Sequence, residues 1–212
     1  VRRNSKDPLY RKVLERYIAM STAAGVTQAV FPEGGLSREG SLRKPRLGIL
    51  DYIVRAFDPV GRDVVFVPVG INYDRVFEDR SYLLERDGNG PKPKAAGAAT
   101  NAVRFVLRNM VLMARNRWHR FGYACVNFGS PVSLAAYGKS RGIEFRALTK
   151  EERFSNVEKL GDDLMAAIAA VIPVVPVPLV ATVFVRDPDR PRTELELKAE
   201  VLASMKDLAG RG

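Results

Sequence analysis

Glu33 is followed by Gly34 and Gly35, then by Ser37, Arg38, Arg43, Lys44 and Arg46. These are the residue types that phosphate recognition uses. Glycines let a backbone turn tightly and bring its amides close to a ligand. Arginine's planar fork suits bidentate contact with phosphate oxygens, where lysine serves as a point charge. Glu33 lies among these cations, after a predicted strand over residues 28–31, and strand ends are where active-site residues of α/β folds cluster. Two readings stay open from residue types alone. The stretch is an anion site for phosphate, or a flexible basic loop whose glutamate only neutralises its neighbours.

The elements that must position this loop follow from periodicity. Asp7-Pro8 is a helix start, with proline at the first helical position. Leu9, Val13, Tyr17, Met20 and Ala24 then recur at three- and four-residue steps, one apolar face of a helix that Gly25 ends. Residues 49–57 resume a helical pattern. Residues 64–71 are β-branched and apolar on both sides, as in a buried strand of an α/β sheet. A glycine- and proline-rich loop is predicted over 87–94, a long helix over 95–118 and a short strand over 122–128. Thr149 with Glu152, and Thr193 with Glu196, are capping-box patterns that open two further helices. Helices alternating with buried strands predict an α/β architecture.

The chain has 212 residues, 34 lysines and arginines against 24 acidic residues, and a formal net charge of +10. That excess favours anionic partners such as nucleic acid, phospholipid headgroups, or phosphorylated and CoA-linked substrates. Nucleic acid is not expected, because aromatic residues are not interleaved with the basic ones and no recognition module is present. A single cysteine, Cys125, excludes an internal disulfide and points to a reducing compartment. No metal site is expected, for want of a Cys/His cluster or suitably spaced carboxylates. No redox cofactor is expected either, since Gly34-Gly35 lacks the G-x-G-x-x-G pattern. Residues 164–185 are uncharged and mostly apolar, long enough to raise the question of a membrane span, yet Pro173, Pro176 and Pro178 argue against a spanning helix and for a buried or membrane-surface corner. The chain starts at Val1 without a methionine or a signal peptide, and is expected to be a piece of a longer protein.

Several stretches resemble one family in order and spacing. Phe31-Pro32-Glu33-Gly34-Gly35-Leu36-Ser37-Arg38 resembles the third block of the glycerolipid acyltransferase superfamily, F-P/V-E-G-T/G-R-S-R. Val1-Arg2-Arg3 resembles the end of the second block, and the run from Val67-Pro68-Val69 to Tyr73 resembles the fourth, an apolar strand with a central proline. Val126-Asn127-Phe128-Gly129-Ser130-Pro131 is similar to the later "vNFGePv" strand, and Val175 to Thr182 to a segment of the glycerol-3-phosphate branch.

The resemblance implies a central mixed β-sheet flanked by helices. The C-terminal part of the acyltransferase domain would occupy 1–140, and a helical extension with a proline-rich apolar corner 141–212. It further implies transfer of a fatty acyl group from acyl-CoA or acyl-carrier-protein to glycerol 3-phosphate, in phospholipid biosynthesis on the cytoplasmic face of a bacterial membrane. Arg2 and Arg3 would bind the glycerol phosphate. Glu33 would orient groups while Gly34 and Gly35 shape the acceptor site. Ser37, Arg38, Arg43, Lys44 and Arg46 would serve the anion pocket, and Pro68 would fix the strand flanking the acyl thioester.

Two departures qualify this. The family's catalytic block is His-x-x-x-x-Asp, in which the histidine takes the acceptor hydroxyl's proton and the aspartate orients the imidazole. The only histidine is His119, and Ala124 stands five positions later. His119 is therefore read as structural or exposed, and the block is expected before Val1. Leu36 stands where the family has the first arginine of its third block. That leaves lysophosphatidate, dihydroxyacetone phosphate or another alcohol as alternative acceptors, and a non-catalytic anionic-lipid-binding module as an alternative function.

Overall fold

The structure, a computed structural model, describes residues 7–35, 41–74 and 122–210, with helical positions 103, 107, 110, 111 and 114 between them. The predicted loop over 87–94, most of the helix over 95–118, and His119 lie outside the described residues. The chain divides into two units, Val1–Gly70 with Val126–Pro173, and Ile71–Cys125 with Val174–Gly212.

In the first unit, helix α1 (Pro8–Ala23) starts where Asp7 and Pro8 predict. The Asp7 carboxylate accepts from the amides of Leu9 and Tyr10, at 2.9 and 3.4 Å. At the other end Gly25 takes φ +68°. Its amide reaches Thr22 O, and the amide of Val26 reaches Ser21 O. This pair of bonds is a Schellman stop, which needs a left-handed residue that glycine supplies without a Cβ clash. Helix α2 (Gly48–Ala56) packs on α1 and on the long helix Lys150–Ala170.

The central apolar run is two strands rather than one. Strand β1 (Val65–Phe66) precedes strand β2 (Val69–Tyr73), with Val67 and Pro68 between them in neither. Proline has no amide to give a ladder, so the strand is interrupted there. The run is also not buried on both sides. Val65, Val67, Val69, Ile71 and Tyr73 are exposed, while Pro68, Gly70 and Asp74 are buried, so one face is covered. Strand β3 (Ala124–Phe128) bears out the predicted strand and is hydrogen-bonded to β2. Strand β4 (Val132–Ser133) pairs antiparallel with β1, Val65 opposite Ser133 and Phe66 opposite Val132. Helices and small antiparallel sheets are thus both present, compatible with an α/β chain, and the described strands pair as two-stranded ladders.

Helix α3 (Leu134–Arg141) follows at once, capped by Ser133. Asp63 secures the junction by accepting from the Ser133 hydroxyl at 2.5 Å and the Ala135 amide at 3.0 Å. Helix α4 (Lys150–Ala170) opens with the predicted capping box: Thr149 accepts from the Glu152 amide while the Glu152 carboxylate accepts from the Thr149 amide. Those bonds from Thr149 hold the Glu152 carboxyl below its usual range. Val54, Phe57, Leu134, Phe145, Val157 and Leu160 form the core between these elements. Phe57 meets Phe145 edge to face, with centroids 6.2 Å apart.

One expectation fails in this unit. Residues 28–31 are not a strand. A strand exists only through a partner, and Val30 and Phe31 stand exposed without one among the described residues. The α1 stripe is present on the helix but faces outward: Leu9, Val13, Tyr17 and Met20 are all more than half exposed, while Ile18 and Ser21 are buried. The helix carries apolar residues on two sides, and periodicity does not say which side finds the core.

In the second unit, helix α5 (Pro176–Arg186) and helix α6 (Glu194–Ala209) pack together. Val175 cannot cap α5, and Asp74 does so from far along the chain. This buried carboxylate accepts from the Val177 amide at 3.1 Å and the Tyr123 amide at 2.8 Å. Gly122, at φ +89°, leaves it room, since a Cβ there would fall 2.5 Å from the Asp74 carboxylate. Arg192 joins the two helices. Its side chain is 3% exposed and bonds Glu200 and the carbonyls of Asp187 and Arg190, over the Phe184 ring. The corner prolines fall in the connection, at Pro173, and in the first turn of α5, at Pro176 and Pro178. Among the described residues no helix is long and apolar enough to cross a membrane.

Candidate functional site

The Glu33 loop hangs between α1 and α2, and those helices are clamped to each other. Arg55 of α2 reaches Glu15 of α1 at 3.0 Å and Asp51 at 3.2 Å, and Asp51 also takes Arg153 of α4 at 3.0 Å. These side chains are mostly covered, so the network is less screened than isolated surface pairs. Both ends of the loop are therefore fixed.

At its near end, the Gly34 amide donates to Phe31 O at 3.0 Å and closes a turn with Pro32 and Glu33 at its centre. Proline suits the second position of such a turn, where its ring presets φ. Gly34 itself sits at φ +66°, a left-handed conformation that an L side chain rarely adopts. Glu33 is half-buried, whereas Gly34, Gly35 and Phe31 are exposed.

The returning arm comes back across this turn. The Arg46 amide donates to Pro32 O at 2.8 Å. Its side chain lies over Gly34, where an added Cβ would come 2.5 Å from Arg46 Cδ and 3.1 Å from Nε. On the opposite side, Leu47 and Pro45 press on Gly161 of α4, at 3.0 and 3.1 Å from where a Cβ would stand there. Arg46 is thus held between two inward anchors and points out over the turn.

Among the sequence-predicted site residues, Glu33, Gly34, Gly35 and Arg46 are brought together. Arg43 and Lys44 are exposed on the same arm. Arg2, Arg3, Leu36, Ser37 and Arg38 lie outside the described residues. Pro68 is buried where β1 gives way to β2, and its carbonyl accepts from the Gly129 amide at 2.8 Å. Around it the backbone approaches closely. A Cβ on Gly70 would fall 2.4 Å from Val171 O, and one on Gly129 would fall 3.2 Å from the Pro68 ring. Sequence reasoning missed Gly161, Pro45 and Leu47 as the parts that aim Arg46. A glycine inside an otherwise regular helix was the available signal, since such a glycine has a packing reason when it is not an accident.

Chemically, the turn offers an exposed guanidinium, glycine backbone and one carboxylate, a setting for an anionic group. Among the described residues no three His, Cys, Asp or Glu side chains cluster as metal ligands.

The chain is similar to several known proteins. A family model described as the glycerol-3-phosphate acyltransferase C-terminal region matches residues 107–212. The plsB1 protein of Mycobacterium tuberculosis (strain ATCC 25618 / H37Rv) is 34% identical over 99% of this chain and 31% of its own length. A glycerol-3-phosphate acyltransferase of Pseudomonas fluorescens (strain SBW25) is 30% identical over 95% of this chain and 23% of its own length. One from Xylella fastidiosa (strain M23) is 30% identical over 98% of this chain and 24% of its own length. The chain spans 31% or less of the length of these three relatives.

Proposed function

Because the chain belongs to the family of the glycerol-3-phosphate acyltransferase C-terminal region, we propose that its full-length protein passes a fatty acyl group from acyl-CoA or acyl-carrier-protein to a hydroxyl of glycerol 3-phosphate. The observation that carries this reading is the Pro32–Gly35 turn with Arg46 laid across Gly34, in a chain that resembles such enzymes over nearly its whole length.

In this reaction the acceptor oxygen attacks the thioester carbonyl carbon, the carbon–sulfur bond breaks, and the hydroxyl proton passes through a base to the departing thiol. The base would be the histidine of a His-x-x-x-x-Asp block in the polypeptide before Val1, a role that His119 does not match. This chain's part is binding. Glu33 orients groups, Gly34 and Gly35 leave room for the acceptor, and Arg2, Arg3, Ser37, Arg38, Arg43, Lys44 and Arg46 supply hydrogen bonds and charge. Pro68 shapes the strand beside the thioester. The product is a lipid, and we place the protein peripherally on the cytoplasmic face of the membrane. Exposed Val174, Val177 and Val185, close in sequence to Arg186 and Arg190, support contact with an anionic surface.

One observation favours a second acceptor. Leu36 cannot contact a phosphate as the motif arginine would, so lysophosphatidate is the alternative substrate. Thioester cleavage by the full-length protein, followed with glycerol 3-phosphate and with lysophosphatidate in parallel, tests both. Acceptor-dependent thiol release with glycerol 3-phosphate is expected. Release with lysophosphatidate alone reassigns the acceptor, and no release with either leaves a lipid-binding module. A full-length sequence without His-x-x-x-x-Asp would also end the enzyme reading.

A further inference from the structure

We propose that, among the described cations of this loop, Arg46 is the principal receptor for the acceptor's phosphate group, ahead of Arg43 and Lys44. This rests on the proposed acyl transfer, but its physical basis is independent of which alcohol is acylated. Three cations of this arm are described, Arg43, Lys44 and Arg46, and all are exposed. Only Arg46 has its backbone fixed on both sides. Its amide is bonded to Pro32 O, and its neighbours Pro45 and Leu47 are wedged against Gly161.

The aim of the side chain is fixed as well. Its stem runs across Gly34, whose missing Cβ is what permits the contact. Arg46 is exposed, and its guanidinium has no hydrogen bond or ion pair to any described residue. Six other guanidinium groups of the described chain, those of Arg55, Arg141, Arg146, Arg153, Arg190 and Arg192, pair with carboxylates. A cation that is held in place and left unpaired loses little side-chain freedom on taking a ligand, which is how preorganisation raises affinity. Arginine's fork can contact two phosphate oxygens at once, a geometry that lysine cannot copy.

The test uses the full-length protein and three readouts: acceptor KM, acyl-donor KM, and the affinity for inorganic phosphate by calorimetry. Arg46→Ala is expected to raise the acceptor KM about tenfold or more, the usual scale for losing a charged hydrogen bond, and to weaken phosphate binding by a similar factor. The donor KM should stay within about twofold. Arg46→Lys should recover part of the loss, whereas Arg43→Ala and Lys44→Ala should each cost less than Arg46→Ala. Lys139→Ala, an exposed cation on α3, controls for net charge and should change none of the three. Equal effects from Arg43→Ala or Lys44→Ala would overturn the assignment, and so would Arg46→Ala leaving phosphate affinity unchanged or shifting both KM values together. Should the protein bind phosphate through Arg46 yet acylate another alcohol, the Arg46 assignment stands and the glycerol 3-phosphate reading falls.

Discussion

At Gly34 two requirements meet in one residue. Its φ of +66° is open to glycine, and the place of its missing Cβ is filled by Arg46 Cδ at 2.5 Å. Gly34→Ala must therefore bear the left-handed backbone penalty of about 1–2 kcal/mol and also push the Arg46 stem away. Urea denaturation should show a loss on that scale, and the acceptor KM should rise with it. A variant with wild-type stability and KM would mean that the turn relaxes freely, and that Arg46 is not seated on it. Sequence alone presents Arg38, Arg43, Lys44 and Arg46 as equivalent cations of one loop. It could nominate the loop because glycine and arginine are informative residue types. It could not rank the cations, because the ranking depends on Pro45 and Leu47 meeting Gly161 more than a hundred positions away.

Among the elements, the helices were the legible part, because their start signals are local. Thr149 with Glu152 and Thr193 with Glu196 both close as full capping boxes. Strands were less legible, since a strand is completed by a partner that local sequence does not name. Residues 28–31 end in β-forming side chains and have no described strand partner, and 64–71 breaks at the proline that lacks an amide. Nor does local pattern show how elements are joined. The α3–α4 joint is made by Tyr137, whose hydroxyl donates to Asp163 at 2.7 Å while Arg141 bonds the same carboxylate at 2.8 Å and covers the ring. Burial, then the hydrogen bond to Asp163, push the Tyr137 hydroxyl up to about 12. A raised folded-state value means that the protonated phenol favours the native state. Its contribution is complete below the ordinary tyrosine value near 10 and is lost as pH climbs from there through about 12. Ultraviolet titration should show a tyrosine step near 12 that Tyr137→Phe removes. Retention of that step in the variant would assign it elsewhere.

For the molecule as a whole, composition set a charge and a class, and the ordered blocks set the family. What they left open is which surfaces the fold covers. Helix α1 decides the point most clearly. Leu9, Val13, Tyr17 and Met20 line one side of it at 73%, 59%, 66% and 60% exposure, while the helix holds to its unit through Ile18, at 4%. The two sides should respond oppositely to substitution. Ile18→Ala removes buried methylenes and should cost about 2–5 kcal/mol. The pair Val13→Lys and Tyr17→Lys changes exposed positions, so its unfolding free energy should stay within about 0.5 kcal/mol of wild type. An apolar helix face open to water favours association, so the same pair should reduce self-association measured by light scattering on the 212-residue chain. Unfolding of the lysine pair with a loss comparable to Ile18→Ala would show that the stripe, and not Ile18, carries the helix. The periodicity read from the sequence would then have named the inward face after all.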